Sequence, residues 1–360
     1  MFAAGSEPGY SADSNHCLVS LGFSTRGLRA RVGSVRSHAV DEPAGCSAES
    51  SQVASLTFIG SVARGFPMRR LLSVFCLFFC LVPFAVHAQT PPASWFFAVI
   101  ADPQFGMYAD DANFTQESAN FQFVIASLNR VQPVFVVIDG DFVNRTGDAT
   151  EIAAYKSILA QLNPTIPVYQ VAGNHDVGNV PSENLIKNYR AQFGWDRYTF
   201  EKNGLLGIVL DSSLIGAPQG YPAGTIDQLS WLKATLASPA AEAAQEVVVF
   251  QHIPYFDRTP GEANSYYNLP QSVRGSYLSL LMNAGVEWVF SGHTHDFGGG
   301  SDGNLTQWIT GAVGMPIGSS GSGITLVAVN GHELHPVWYC LAGLPNTFNP
   351  DSPPTTACSK

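Results

Sequence analysis

Val168-Tyr169-Gln170-Val171-Ala172-Gly173-Asn174-His175-Asp176 is a short apolar run that stops at a glycine and then presents three polar side chains in succession. The same construction occurs four more times. Asp102-Pro103-Gln104 follows the run at 96–101, Asp139-Gly140-Asp141 follows 135–138, His252-Ile253-Pro254 follows 247–251, and Gly292-His293-Thr294-His295 follows 288–291. Each run is short and rich in β-branched or aromatic residues, as strands are, and 206–210 and 324–329 have the same character. Between them, apolar residues at helical spacing predict helices over 114–130, 150–162, 183–193, 226–236 and 273–283. Strands alternating with helices give an α/β organisation. In such sheets ligands bind where strands end and loops begin, which is where Asp102, Asp141, Asn174 and His252 fall.

Taken singly, each polar residue has an ordinary explanation: a carboxylate caps the next helix, glycines make a turn, a histidine bonds a backbone carbonyl. Their joint occurrence is different. Oxygen and imidazole donors at five strand ends of one α/β domain converge on one edge, and that combination is the donor set of a metal site.

In order and spacing these motifs resemble the signature of the calcineurin-like metallophosphoesterases: D-x-H, then GD, then GNH[DE], then a lone His, then GHxH. The resemblance covers 96–339. Ala101-Asp102-Pro103-Gln104-Phe105-Gly106, and Tyr266-Tyr267-Asn268-Leu269 with Ser272-Val273-Arg274, resemble more closely the phosphatase subgroup of calcineurin-like phosphoesterase domain-containing proteins. Gln104 stands where the wider family has histidine. A glutamine carbonyl still ligates a metal, but as a harder, neutral oxygen that leans toward manganese, magnesium or iron.

The resemblance implies a four-layer α/β/β/α sandwich of two mixed sheets with the metals at one edge. It implies two divalent ions, drawn from Mn, Fe, Zn and Mg, one held by Asp102, Gln104, Asp141 and His295 and the other by Asp141, Asn174, His252 and His293. Asp141 then bridges. Paired metals about 3.5–4 Å apart generate hydroxide at neutral pH and clamp the attacking and leaving oxygens of an in-line displacement. His175 is the implied general acid, oriented by Asp176; Asn174 and Arg145 are the candidate substrate contacts, Arg145 because its guanidinium suits phosphate, although it reads equally as a solvated surface cation. The expected activity is hydrolysis of phosphate esters, phosphomonoesters foremost, on small molecules or phosphoproteins. A phosphodiesterase with the same centre and a non-catalytic phosphate-binding module are the alternatives.

Composition agrees with a packed, non-nucleic-acid protein. Hydrophobic residues make up 46% of the 360 and charged ones 13%, enough for a sizeable core. The net charge of −10 comes without any basic run after the first seventy positions, which removes the electrostatic footprint of nucleic-acid binders.

Met68-Arg69-Arg70, the apolar stretch 71–86 and Val86-His87-Ala88 read as a signal peptide cleaved after Ala88, because the stretch is shorter than the ~20 residues of a spanning helix. The expected organisation is thus 1–67 outside the mature protein, 68–88 as signal, 89–341 as the hydrolase domain and 342–360 as a Pro-rich tail offering no core. A periplasmic or secreted protein without stable membrane insertion follows. Of six cysteines only Cys340 and Cys358 follow the cleavage site, and in an oxidising compartment they are expected to pair. Tyr255 and Asn268 are candidates to line the pocket; His332 and His335 lack motif context and read as structural.

Overall fold

The computed structural model describes residues 93–355. The segment expected to be a signal peptide, the residues before it and Cys358 lie outside that range.

The chain enters at β1 (Trp95–Ile100) and continues through α1 (Thr115–Val131), β2 (Val136–Ile138), α2 (Ala149–Leu159) and β3 (Val168–Gln170). Next come α3 (Asn174–Val177), α4 (Glu183–Phe193), β4 (Tyr198–Lys202), β5 (Leu205–Val209), α5 (Ser212–Gly216), α6 (Pro222–Leu236) and α7 (Pro239–Ala243). It closes with β6 (Glu246–Phe250), α8 (Gln271–Asn283), β7 (Trp288–Ser291), β8 (Gly298–Asp302), β9 (Leu305–Ile309), β10 (Gly323–Asn330) and β11 (Glu333–Cys340).

These strands form two mixed sheets, one of five strands in the order β11-β10-β1-β2-β3 and one of six in the order β4-β5-β6-β7-β9-β8. Strands β1, β2 and β3 run parallel, as do β5, β6, β7 and β9, with antiparallel neighbours toward the edges.

Side-chain alternation along the strands assigns the layers. In β1, Ala98 and Ile100 face one way, onto Phe121, Val124 and Leu128 of α1, Ile152 and Tyr155 of α2, and Ile186 and Tyr189 of α4. Phe97 and Val99 face the other way, into an apolar layer shared with Phe200, Leu205, Val209, Val248, Phe250 and Phe290 of the second sheet. The far face of that sheet, with Leu206, Ile208, Val249 and Val289, is covered by Leu232 of α6 and by Tyr277, Leu278 and Leu281 of α8. The three apolar layers separate four layers of secondary structure, so the α/β/β/α sandwich is present.

The predicted strands and helices are found within a few residues of their expected ends, with informative exceptions. α6 begins at Pro222 rather than 226, because a proline at the first helical position loses no hydrogen bond. β4, β8, β9 and β11 were not expected. β8 is Gly-Gly-Gly-Ser-Asp, a composition of low strand propensity, and exists because it pairs with β9. β11 contains Pro336, tolerated because β11 lies at the sheet edge, where an absent N–H costs no ladder bond.

The expectation that the tail adds nothing to the core is corrected. Leu344 and Phe348 pack against the helix-side cluster of the first sheet, with the Phe348 ring 4.8 Å from that of Phe96. Cys340, at the end of β11, is disulfide-bonded.

Candidate metal centre

The loops after β1 and β2 carry the pairing of those strands beyond their ends. Asp102 N–H donates to the Gly140 carbonyl at 3.1 Å, Gln104 N–H to Asp141 at 2.9 Å and Phe105 N–H to Phe142 at 3.2 Å. This zipper sets Asp102 and Gln104 beside Asp141. In the second sheet Gln251 N–H bonds the Phe290 carbonyl at 3.0 Å and Gly292 N–H bonds that of His252 at 3.0 Å, which brings His252 beside His293.

The motif glycines are there for close approach: a Cβ on Gly173 would lie 2.1 Å from Asp141 Oδ1, and one on Gly292 would lie 2.6 Å from Asp102 Oδ2. Asp102, Gln104, Asp141, His293 and His295 all have positive φ, between 32° and 72°, in a region that side-chain-bearing residues rarely occupy. Strain concentrated on residues of one constellation is the mark of a functional site.

All seven predicted ligands are buried, and Asp102, Asp141, Asn174, His252, His293 and His295 lie beside one another. Asp141, His252 and His293 form one cluster of donor atoms within 4.8 Å of one another, Asp102, Asp141 and His295 a second, and Asp141 belongs to both. His252 Nε2 lies 3.1 Å from Asp141 Oδ2 and 3.1 Å from Asn174 Oδ1, and His295 Nε2 lies 3.4 Å from Asp102 Oδ1.

The second ring nitrogen of each histidine is committed to a backbone carbonyl. His252 Nδ1 bonds Asp139 at 2.6 Å, His293 Nε2 bonds Tyr266 at 2.8 Å, and His295 Nδ1 bonds Met315 at 2.5 Å. A carbonyl accepts only from N–H, so each bond assigns that nitrogen as the donor and turns the other toward the site, where it offers a lone pair to a cation once its own proton has left. Gln104 supplies a further test of fit: its Oε1 is buried without a hydrogen-bond partner, while its Nε2 donates to Asn144 Oδ1 at 3.3 Å. A buried carbonyl oxygen without a hydrogen-bond partner, on a loop whose backbone pairs with Asp141, fits a cation.

The electrostatics agree. Burial pushes the His252 imidazolium down, but Asp141 and then Asp102 outweigh it and carry the group up to about 10. His293 is pushed down to about 3 by burial and by the neighbouring His252 charge. Burial raises Asp102. Burial thus penalises the Asp102 carboxylate, and in the metal-free pocket a proton on His252 supplies the positive charge that a bound cation would replace.

Three expected roles are corrected. Asp176 does not orient the His175 ring: its Oδ1 accepts from Phe142 N–H at 3.0 Å and its Oδ2 from Gly173 N–H at 2.9 Å, so it fastens one ligand loop to the other. The His175 ring is held instead through Nδ1 by the Asn144 carbonyl at 2.6 Å, and its main-chain N–H donates to Asp141 Oδ1 at 2.8 Å. Asn174 is placed for a ligand's role rather than a substrate donor's: its Oδ1 lies 3.1 Å from His252 Nε2, while its Nδ2 is spent on Asn179 Oδ1 at 2.9 Å and Tyr266 Oη at 3.1 Å. Arg145 is no free phosphate cation either. Three carboxylates hold it, Asp148 at 2.6 Å and Asp111 and Glu151 at 3.3 Å each.

Of the remaining candidates, Tyr255 is wholly buried in the core behind the second sheet. Asn268 ties its own loop, donating to Glu262 Oε1 at 2.7 Å and accepting from Ser265 N–H at 3.0 Å, at the wall of a cavity that also reaches Tyr266 and His293. His332 and His335 lie near Glu246 and Glu333, away from the centre. The sequence reading missed Tyr266, Asn144 and Asp111 as site residues; they sit on loops and follow no strand-end motif.

One carboxylate shared by two such donor clusters defines a two-metal hydrolase centre. The profile of the family described as calcineurin-like phosphoesterase matches residues 97–297. The chain is 32% identical over 262 residues to the Bos taurus serine/threonine-protein phosphatase CPPED1, covering 69% of this chain and 84% of the bovine protein. It is 30% identical over 255 residues to the Danio rerio protein of the same name, covering 67% and 82%. The chain belongs to the calcineurin-like phosphoesterase family, and it is a metal-dependent hydrolase of phosphoric esters.

Among solved structures, GAP50, the anchor in the inner membrane complex of Plasmodium, aligns with a TM-score of 0.52 at 16% identity, over 70% of this chain and 86% of that one. That likeness concerns the fold alone. Function rests on the site built upon it.

Proposed function

We propose that this protein is a phosphomonoesterase that removes phosphate from phosphoserine or phosphothreonine side chains and related small monoesters outside the cytoplasm. The observation that carries the reading is the intact donor set around Asp141, Gln104 Oε1 included, together with a general-acid histidine bonded to that same aspartate. The relatives named as serine/threonine-protein phosphatases support the monoester class.

Two divalent cations held by these residues would activate water and neutralise the charge of a transferring phosphoryl group. The donor set of the first site, with its neutral Gln104 oxygen, suits manganese, magnesium or iron; the second, with two imidazoles, also suits zinc. The chain's own contribution is geometric and protonic. Asp141 is held by the His175 main chain, so the acid is fixed relative to the centre. With Nδ1–H bonded to the Asn144 carbonyl, Nε2 is the nitrogen that, in the imidazolium form of the ring, gives its proton to the departing seryl or threonyl oxygen and leaves a neutral imidazole. The ring is only partly buried, as a proton donor to an outside substrate must be. Without that proton the leaving group would depart as an alkoxide.

Hydrolysis of para-nitrophenyl phosphate against its bis-para-nitrophenyl diester, with protein from Gln89 stripped of metal and reloaded with manganese, iron or zinc, tests the reading. Metal-dependent release from the monoester is expected. Preference for the diester makes the protein a phosphodiesterase, and two bound equivalents without turnover make it a phosphate-binding module.

Export is part of the proposal and rests on Met68-Arg69-Arg70 and the apolar stretch that follows. N-terminal sequencing of the exported protein is expected to start at Gln89, and a start upstream of Met68 would reject export by this signal.

A further inference from the structure

We propose that Asp111 and Asn144 are positioning residues that set which way the Gln104 amide points, and thereby the affinity of the first metal site; this rests on the two-metal reading above. A glutamine ligand has a weakness that the histidine of the wider motif does not. Its amide has an oxygen and an NH2 of nearly the same shape, and only the oxygen binds a cation. Turned the other way, it presents hydrogens to the metal. Something must choose.

The choice is made by a chain of hydrogen bonds with a fixed polarity. Asp111 is a carboxylate, which only accepts, so the Asn144 atom that faces its Oδ1 at 2.7 Å is the NH2. The Asn144 oxygen therefore turns to Gln104, where it lies 3.3 Å from Nε2. An accepting oxygen there requires the Gln104 NH2, and Oε1 is left buried and without a hydrogen-bond partner, available to a cation. Asp111 is itself anchored, with Oδ2 3.3 Å from Arg145 Nε. That gives Arg145 an indirect part in place of the substrate contact expected of it.

The backbone is shaped to admit this relay. At Gly106, with φ of 115°, a Cβ would lie 2.6 Å from Asp111 Oδ1 and 3.1 Å from Asn144 Cβ, so a side chain there would drive the pair apart. The same Asn144 holds His175 Nδ1 through its carbonyl, so one residue serves both the first metal site and the general acid.

Asp111→Asn is the discriminating variant. It is nearly isosteric, it tolerates the positive φ of 64° found at this position, and Arg145 keeps Asp148 and Glu151. An amide at 111 can donate or accept, so the polarity of the relay is no longer imposed. The measurement is calorimetric titration of metal-stripped protein with Mn2+ alone, in the wild type and in a Gln104→His background, whose imidazole has no amide to misdirect.

The wild type is expected to take up two equivalents. Asp111→Asn should weaken one of the two binding events about tenfold or more, the usual range for partners that orient a ligand, and in the Gln104→His background it should change affinity less than twofold. Unaltered binding in Asp111→Asn, or an equal loss in both backgrounds, would overturn the relay while leaving the two-metal centre standing. A wild type that binds fewer than two equivalents would overturn the two-metal reading and the relay with it.

Discussion

His175 is held at two points, by its main-chain bond to Asp141 and its ring bond to the Asn144 carbonyl, and neither point is a metal contact. His175→Ala should therefore keep its metal while turnover falls by about 10²–10⁴, the usual weight of a general acid. The loss should be smaller for para-nitrophenyl phosphate, whose leaving group needs little protonation, than for a phosphoserine peptide. Elemental analysis beside kcat on the two substrates checks this, and loss of metal would show the residue misassigned. Asp176, one position on, gives a different phenotype. Its two oxygens accept two buried backbone N–H groups, and an asparagine can satisfy only one of them. Asp176→Asn is expected to cost about 1–3 kcal/mol in denaturant unfolding. The motif Asn174-His175-Asp176 made all three positions legible as a group, but not their separate tasks. Adjacency suggested a His-Asp pair, whereas the turn of α3 sends the carboxylate back onto Gly173 and Phe142. Arg145 was misread for a related reason: Asp148 and Glu151 stand three and six positions along and claim it locally.

Elements whose character is local were readable, and those that exist through pairing were not. The parallel strands β1, β2, β3, β6 and β7 are continuous apolar runs because both their faces are covered, and they announce themselves. β8 has no such signal and is a strand only beside β9. The short helix α5 was also missed, although its cap is explicit: Asp211 accepts from Ser213 and Leu214 N–H at 2.9 and 3.2 Å. Burial, and then the neighbouring Asp196 carboxylate, push the Asp211 carboxyl up to about 7 from the ordinary carboxylate range. The folded state thus binds this proton more tightly than the unfolded one. The stability it contributes is full below about pH 4 and is lost as pH rises to about 7, by up to about 4 kcal/mol. Asp211→Asn keeps a capping oxygen and removes the titration. Thermal unfolding of this variant should fall less between pH 4 and pH 7 than that of the wild type, and parallel pH profiles would contradict the assignment.

On the scale of the whole molecule, the centre joins the two sheets. Asp102, Gln104, Asp141 and Asn174 come from loops of the five-stranded sheet, and His252, His293 and His295 from loops of the six-stranded one. Cations at this edge cross-link the layers, so chelation should lower the unfolding temperature. The stabilisation lost is about 3–4 kcal/mol per site when free metal stands at 100 to 1,000 times its dissociation constant. A shift that ignores metal concentration would count against cross-linking. Sequence order alone could reveal that donors recur at strand ends, because each follows an apolar run. It could not reveal that Asp111, Asn144 and Tyr266 stand behind those donors, since loop paths are fixed by contacts across the fold. The central claim is that one aspartate serves two metals in a phosphatase, and it is tested most directly by turnover of a phosphoserine peptide as metal-free protein receives Mn2+ in measured equivalents. Activity that stays low through the first equivalent, climbs with the second and then levels is the predicted course. A plateau after one equivalent, or two equivalents bound with no phosphate released, would contradict it.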